Sequence, residues 1–108
     1  MTEKRISNLS ADERTLLLKL ARQSIEAAAA GQPPPQINLD DFPASLRQPA
    51  ACFVTLYIGR DLRGCTGTLV ARAPLAEEVV QTAAQTAIHD PRFSPVTPTE
   101  VTSIDIEV

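Results

Sequence analysis

The stretch "DLRGCTGTL", residues 61–69, holds the densest collection of chemically useful residues in the chain. Cys65 lies between Gly64 and Gly67, with Arg63 two positions before it. A thiol next to a guanidinium and to exposed backbone N–H groups is the setting that stabilises a thiolate. Glycines at this spacing also admit a partner's backbone at close range. The competing structural interpretation is a buried small hydrophobe, with the glycines permitting a bulge or a closely packed helix. A second compact block, Asp90-Pro91-Arg92-Phe93, offers a carboxylate and a guanidinium that can pair with one another or with a partner, and a phenyl ring expected to plug the core. His89, the sole histidine, falls where a helix should end. That position favours imidazolium and makes His89 a poor general base. Asp40 and Asp41 are adjacent carboxylates that point apart and solvate a loop, and "TPTE" at 97–100 has the form of a helix cap.

The elements that must carry these residues are legible in outline. Residues 10–30 read as a helix opened by a capping box, with Ser10 accepting from the backbone and Glu13 reaching back. Leu17, Leu20, Ala21, Ile25 and Ala28 form one apolar stripe, and Gly31 with Pro33, Pro34 and Pro35 ends the helix. Residues 31–50 form an irregular proline-rich connection anchored by Ile37, Leu39, Phe42 and Leu46, with a short helical turn in "PASLRQ". "ACFVTLYI" (51–58) and "LRGCTGTLV" (62–70) read as the two strands of a hairpin turned at 59–61. Cys65 then faces Thr55 or Leu56 and Cys52 faces Thr68 or Leu69, too far apart along the ladder for a disulfide. Residues 74–88 read as a second helix with Pro74 in its first turn, and Leu75, Val79, Ala83 and Ala87 toward the sheet. "TSIDIEV" alternates Ile104, Ile106 and Val108 against Asp105 and Glu107, the pattern of a half-buried strand. The order α-β-β-α-β predicts an α+β fold, a small and largely antiparallel sheet packed against two helices.

At 108 residues the chain suffices for one domain. Its net charge of −3 and scattered arginines argue against nucleic acid. No stretch approaches the roughly 20 apolar residues of a membrane span, and the polar start lacks the apolar core of a signal peptide, so a cytoplasmic location is expected. Cysteine and histidine spacing gives no zinc site, and no cofactor is expected.

"LRGCTG" at 62–67 and "DPRF" at 90–93, in this order after a matching helix and strand, resemble the AMMECR domain family, protein A of the AmmeMemoRadiSam system. The family hexamer carries isoleucine where this chain has Thr66. The resemblance implies a domain longer than this chain, so that 1–108 is its first part, in keeping with a strand pattern that stops at Val108. It implies partnership with a Memo-type protein and a radical SAM protein. It places the functional site at the hexamer: Cys65 and Arg63 as candidate catalytic residues, with Gly64, Gly67, Asp90 and Arg92 as candidate binding residues. Two functions follow as expectations. One is an accessory, non-catalytic component that docks its partners around the "LRGCTG" strand. The other is an enzyme using Cys65 as nucleophile, carrier or radical partner, with Arg63 and glycine N–H groups holding an anion.

Overall fold

The computed structural model describes residues 9–68 and 70–108. Helix α1 spans Ala11–Ala29, and the capping box is formed as expected: Ser10 Oγ accepts from the Glu13 N–H, and Glu13 returns to the Ser10 N–H. Gly31, past the helix end, takes φ +73, which glycine adopts without strain. A one-turn helix α2, Ala44–Arg47, seats Leu46 fully in the core, while Ile37, Leu39 and Phe42 pack at its margin. Strand β1, Phe53–Ile58, and strand β2, Asp61–Gly67, form the hairpin. Helix α3, Leu75–Ile88, and strand β3, Ile104–Glu107, complete the fold.

The sheet order is β2-β1-β3, antiparallel throughout, with both long helices on one face. The core lies between them. Val54 and Leu56 of β1 and Ile104 of β3 meet Leu17, Ala21 and Ile25 of α1 and Val79 and Ala83 of α3, all at or below about 1% exposure. Alternation along β1 therefore puts Val54, Leu56 and Ile58 toward the helices and Phe53, Thr55 and Tyr57 on the open face. Arg22 of α1 locks the third strand from below: its guanidinium donates to the carbonyls of Val101 (2.9 Å) and Ile104 (2.7 Å).

Three expectations are corrected. Pro74 does not enter α3; it stands before it in extended conformation, and the Leu75 N–H donates to Gln48 O at 2.8 Å. The second strand stops at Gly67, short of the expected 70: Thr68 still donates to Cys52 O at 2.9 Å, but the return bond from the Cys52 N–H is made to the Thr68 side-chain oxygen at 3.4 Å; Leu69 lies outside the described residues. Phe93 does not plug the core: it is half-buried, and Val96 is the core anchor of that loop.

One irregularity decides the hairpin's geometry. A two-residue turn at Gly59 and Arg60, with Gly59 at φ +62, would in a regular ladder set Gly64 opposite Thr55 and put Cys65 on the helix side. Instead the register shifts at Leu56/Tyr57: Tyr57 pairs with Leu62, and Leu56 with Gly64. Arg63 is the extra, bulged residue. The shift reverses the parity of everything after it, so Cys65 pairs with Thr55 on the open face and Gly64 turns toward α3. A Cβ on Gly64 would lie 3.0 Å from Thr86 O and 3.1 Å from the Thr86 methyl. We therefore expect Gly64→Ala to destabilise the protein by about 1–3 kcal/mol through overpacking, read as a lowered urea midpoint. A wild-type midpoint would show that α3 moves away freely.

Candidate functional site

The site is an edge of the sheet held by a loop. Beyond α3, residues 90–100 run along β2, and four side chains fasten the two together. Asp90, with its side chain 3% exposed, accepts the Cys65 N–H through Oδ2 at 3.0 Å. The same carboxylate accepts Arg92 at three points: the backbone N–H (3.1 Å) and Nε (3.1 Å) on Oδ1, and Nη2 (2.8 Å) on Oδ2. Arg92 Nη2 then donates to Cys65 O at 3.1 Å. Both peptide groups of Cys65 thus meet an acceptor and a donor, much as a neighbouring strand would supply them. The loop blunts what would otherwise be a bare strand edge.

Farther along, Arg63 makes a two-pronged pair with Glu100, both N···O distances 3.0 Å, and reaches Pro95 O at 3.3 Å. Bidentate pairs of this kind are among the strongest charge-assisted hydrogen bonds. Glu100 also closes a capping box with Thr97 at the start of the 3-10 turn Pro98–Ser103, so one carboxylate both caps the turn and ties it to the bulge.

These bonds leave their mark on the acids. The Arg92 guanidinium first, and the Cys65 N–H after it, hold the Asp90 carboxyl far below the usual range, outweighing the opposing effect of its burial. Arg63, then the Thr97 N–H, pull Glu100 down to about 2.

The Cys65 thiol is half-exposed on the open face, 3.3 Å from Thr55 Oγ1. Cys52 is 2% exposed, with its sulfur 3.6 Å from Thr82 Oγ1, and both cysteines are free. Around Cys65 the β1–β2 part of the open face carries Phe53 and Tyr57, half-buried, and Leu62, 41% exposed, while Glu107 and Asp105 of β3 stand opposite Thr55 and Tyr57 on the same face. Arg92, 56% exposed, forms one rim, its guanidinium carbon 5.4 Å above the Phe93 ring.

The six residues singled out in the sequence are therefore brought to one edge, in roles the sequence did not disclose. The Arg63 guanidinium is directed to Glu100 and Pro95 O, away from the thiolate-stabilising role expected of it. The Cys65 N–H, between the glycines whose N–H groups were expected to hold an anion, is taken by Asp90. Gly64 faces α3, where a Cβ would crowd Thr86. Gly67 lies beneath Phe53, where a Cβ would come 2.7 Å from Cys52 O. Thr66, the departure from the family hexamer, turns to the helix side and shares a hydrogen bond with Thr86 Oγ1 at 2.5 Å, and Thr86 donates to Thr82 O. His89 is an exposed residue at the end of α3. Glu100 went unrecognised because its cap signal concealed a second bond 37 residues away in sequence. Among the described residues, no group of three or more His, Cys, Asp or Glu side chains is placed to hold a metal ion.

Comparison with known proteins places the same residues in a wider frame. The family model described as AMMECR1 matches residues 18–108. A protein of Methanothermobacter thermautotrophicus is 41% identical over 100 residues, which make up 93% of this chain and 52% of that protein. One from Thermofilum pendens is 37% identical over 117 residues, covering 95% of this chain and 53% of its own length. The chain thus spans about half the length of the curated relatives it matches. The crystal structure of an uncharacterized protein from Pyrococcus horikoshii superposes with a TM-score of 0.77 at 31% identity, over 90% of this chain and 50% of that one.

Two outcomes follow from the site. Both depressed carboxyls stabilise the fold at pH above the ordinary carboxylate range, and that contribution is lost as pH falls from about 5 toward about 2. Urea midpoints measured against pH should therefore fall across this window, and less steeply in Asp90→Asn; equal slopes would refute the pairing. With a thiol reagent, the folded protein should release one fast equivalent, lost in Cys65→Ser, and a second only on unfolding. Two slow equivalents would mean that the open face is covered.

Proposed function

The chain belongs to the AMMECR1 family, and on that premise we propose that it acts as an accessory, non-catalytic component that docks a Memo-type protein, a radical SAM protein or both. The docking surface is the open face around Cys65, bounded by the Arg63 and Arg92 pairs. One observation carries this: Arg63 and Arg92, which flank Cys65, are engaged in holding the edge, while Phe53, Tyr57 and Leu62 leave an apolar and aromatic patch beside it, bordered by Asp105 and Glu107 of β3. A rigid aromatic patch with a polar rim has the composition of a recognition surface. The identity of the partners rests on the family resemblance.

The second function, with Cys65 as nucleophile, carrier or radical partner, is favoured by the half-exposed thiol. Among the described residues, the polar side chain placed within hydrogen-bond reach of the sulfur is the Thr55 hydroxyl, a weak proton acceptor rather than a general base.

The two separate in a titration of this chain against the Memo-type and radical SAM proteins of the same organism. Docking predicts that Cys65→Ser binds within about threefold of wild type, whereas Leu62→Asp, which puts a charge on the apolar face, weakens binding at least about tenfold. Unchanged binding with loss of the partners' reaction in Cys65→Ser would establish the thiol chemistry. Absence of binding to either protein would overturn the docking function.

A further inference from the structure

The helix layer carries a second surface, on the other side of the sheet from Cys65. After α1 the chain reverses at Gly31, and residues 32–38 form a strap with neither helix nor strand. Pro33, Pro34 and Pro35 account for this, since each fixes its own φ and has no N–H to give to a ladder. Between the strap and α3 lie two cavities of about 420 and 270 Å³, which meet at Pro34 and Gln81 and so form one groove. Its floor is apolar and small, made by Val80 and Ala84 of α3 and Ala28 of α1.

The walls are polar in a particular way. Glu77, Gln81, Gln85 and His89 recur every fourth residue and so share one face of α3. Gln32 and Gln36 enter from the strap. Four of the six glutamines in the chain therefore line this one groove, from two separate elements. Among the described residues, no hydrogen bond engages any of these four carboxamides, and no cation pairs with Glu77. Neither cavity is lined by a lysine or an arginine.

This set of groups defines what the groove takes. A carboxamide offers donors and an acceptor together, which is what a peptide unit requires of its neighbour. Carboxamides on both walls therefore match the main chain of an extended segment, whose N–H and C=O groups point outward at every residue. From Glu77 to His89 the wall is about 18 Å long, enough for roughly five extended residues. Small apolar side chains suit a floor of valine and alanine. Glu77, the one carboxylate in the lining, sets the charge at its end and calls for a basic residue there.

We propose that the groove between the proline strap and α3 binds an extended peptide segment of a partner protein, small and apolar along its length and basic at the Glu77 end. Gln32, Gln36, Gln81 and Gln85 hold its main chain, and Glu77 fixes its direction. Because three consecutive prolines stiffen the strap, the wall that receives the segment is already in place before it arrives. This site is separate from the Cys65 face and stands or falls without it.

The test is a magnetic-resonance titration of the isotope-labelled chain, followed at the side-chain amide signals of Gln32, Gln36, Gln81 and Gln85. Three end-capped peptides serve as probes: a lysine followed by alternating valine and alanine, the same peptide with glutamate for lysine, and the lysine peptide with its backbone N-methylated. We expect the lysine peptide to shift all four signals and to bind about fivefold more tightly than the glutamate peptide. Glu77→Gln should remove that preference. Gln81→Ala combined with Gln85→Ala, two exposed helix positions where alanine keeps the helix, should weaken binding about tenfold. N-methylation should abolish it. The proposal is overturned if the four signals stay in place at millimolar peptide, if the N-methylated peptide binds as well as its parent, or if the lysine and glutamate peptides bind alike. Shifts confined to Tyr57 and Leu62 would assign the peptide to the open face and overturn it equally.

Discussion

The geometry of this protein turns on one buried carboxylate. Asp90 takes the N–H of Cys65, aims Arg92 at the carbonyl of the same residue, and in doing so fixes the path of the loop that follows α3. An edge strand with its peptide groups facing water would be free to slip or to recruit another chain. Here the loop supplies the missing partner from two side chains. A charged group this deeply buried is stable only because every oxygen is engaged, and removing one partner would strand the rest. The proline between Asp90 and Arg92 stiffens the loop, so the two side chains reach the same peptide unit without a further search for conformation.

The bulge at Arg63 and the pair with Glu100 work with this clamp. A regular hairpin would bury Cys65 under α3. The extra residue turns the thiol out, turns Gly64 in, and frees the Arg63 side chain to reach across to the 3-10 turn. "LRGCTG" and "DPRF" are two halves of one structural unit: the second block clamps the peptide groups of the first, and the first presents the open face. That the chain matches the AMMECR1 model across residues 18–108 means that both halves lie inside the shared domain.

Much of this frame was legible in local chemistry. The capping box at Ser10 and Glu13, the stripe of α1, the alternation of β1 and of β3, and the α-β-β-α-β order each follow from short-range periodicity that the tertiary structure does not override. Even the pairing of Cys65 with Thr55 lay within the range the turn allowed. What local chemistry could not reveal are contacts between residues far apart in sequence. Arg63 next to Cys65 suggests a thiolate partner, yet Glu100, 37 positions on, competes for the guanidinium with a two-pronged geometry that a thiol cannot match. Phe93 suggests a core plug, but it lies half-buried beneath the Arg92 guanidinium and Val96 fills the core instead. The bulge itself has no signature beyond the glycine that follows it, and it is the bulge that decides whether the thiol is seen from outside.

The β2 edge rests on the Asp90 bond to a strand amide, and the Cys65 N–H reports on it directly. Its hydrogen-exchange rate, measured residue by residue at neutral pH, should match the protected amides shared between β1 and β2, although Cys65 lies on the outer strand. Exchange at the rate of an open strand edge would mean that Asp90 does not hold β2, and the roles assigned here to Arg63, Cys65 and Arg92 would fall with it.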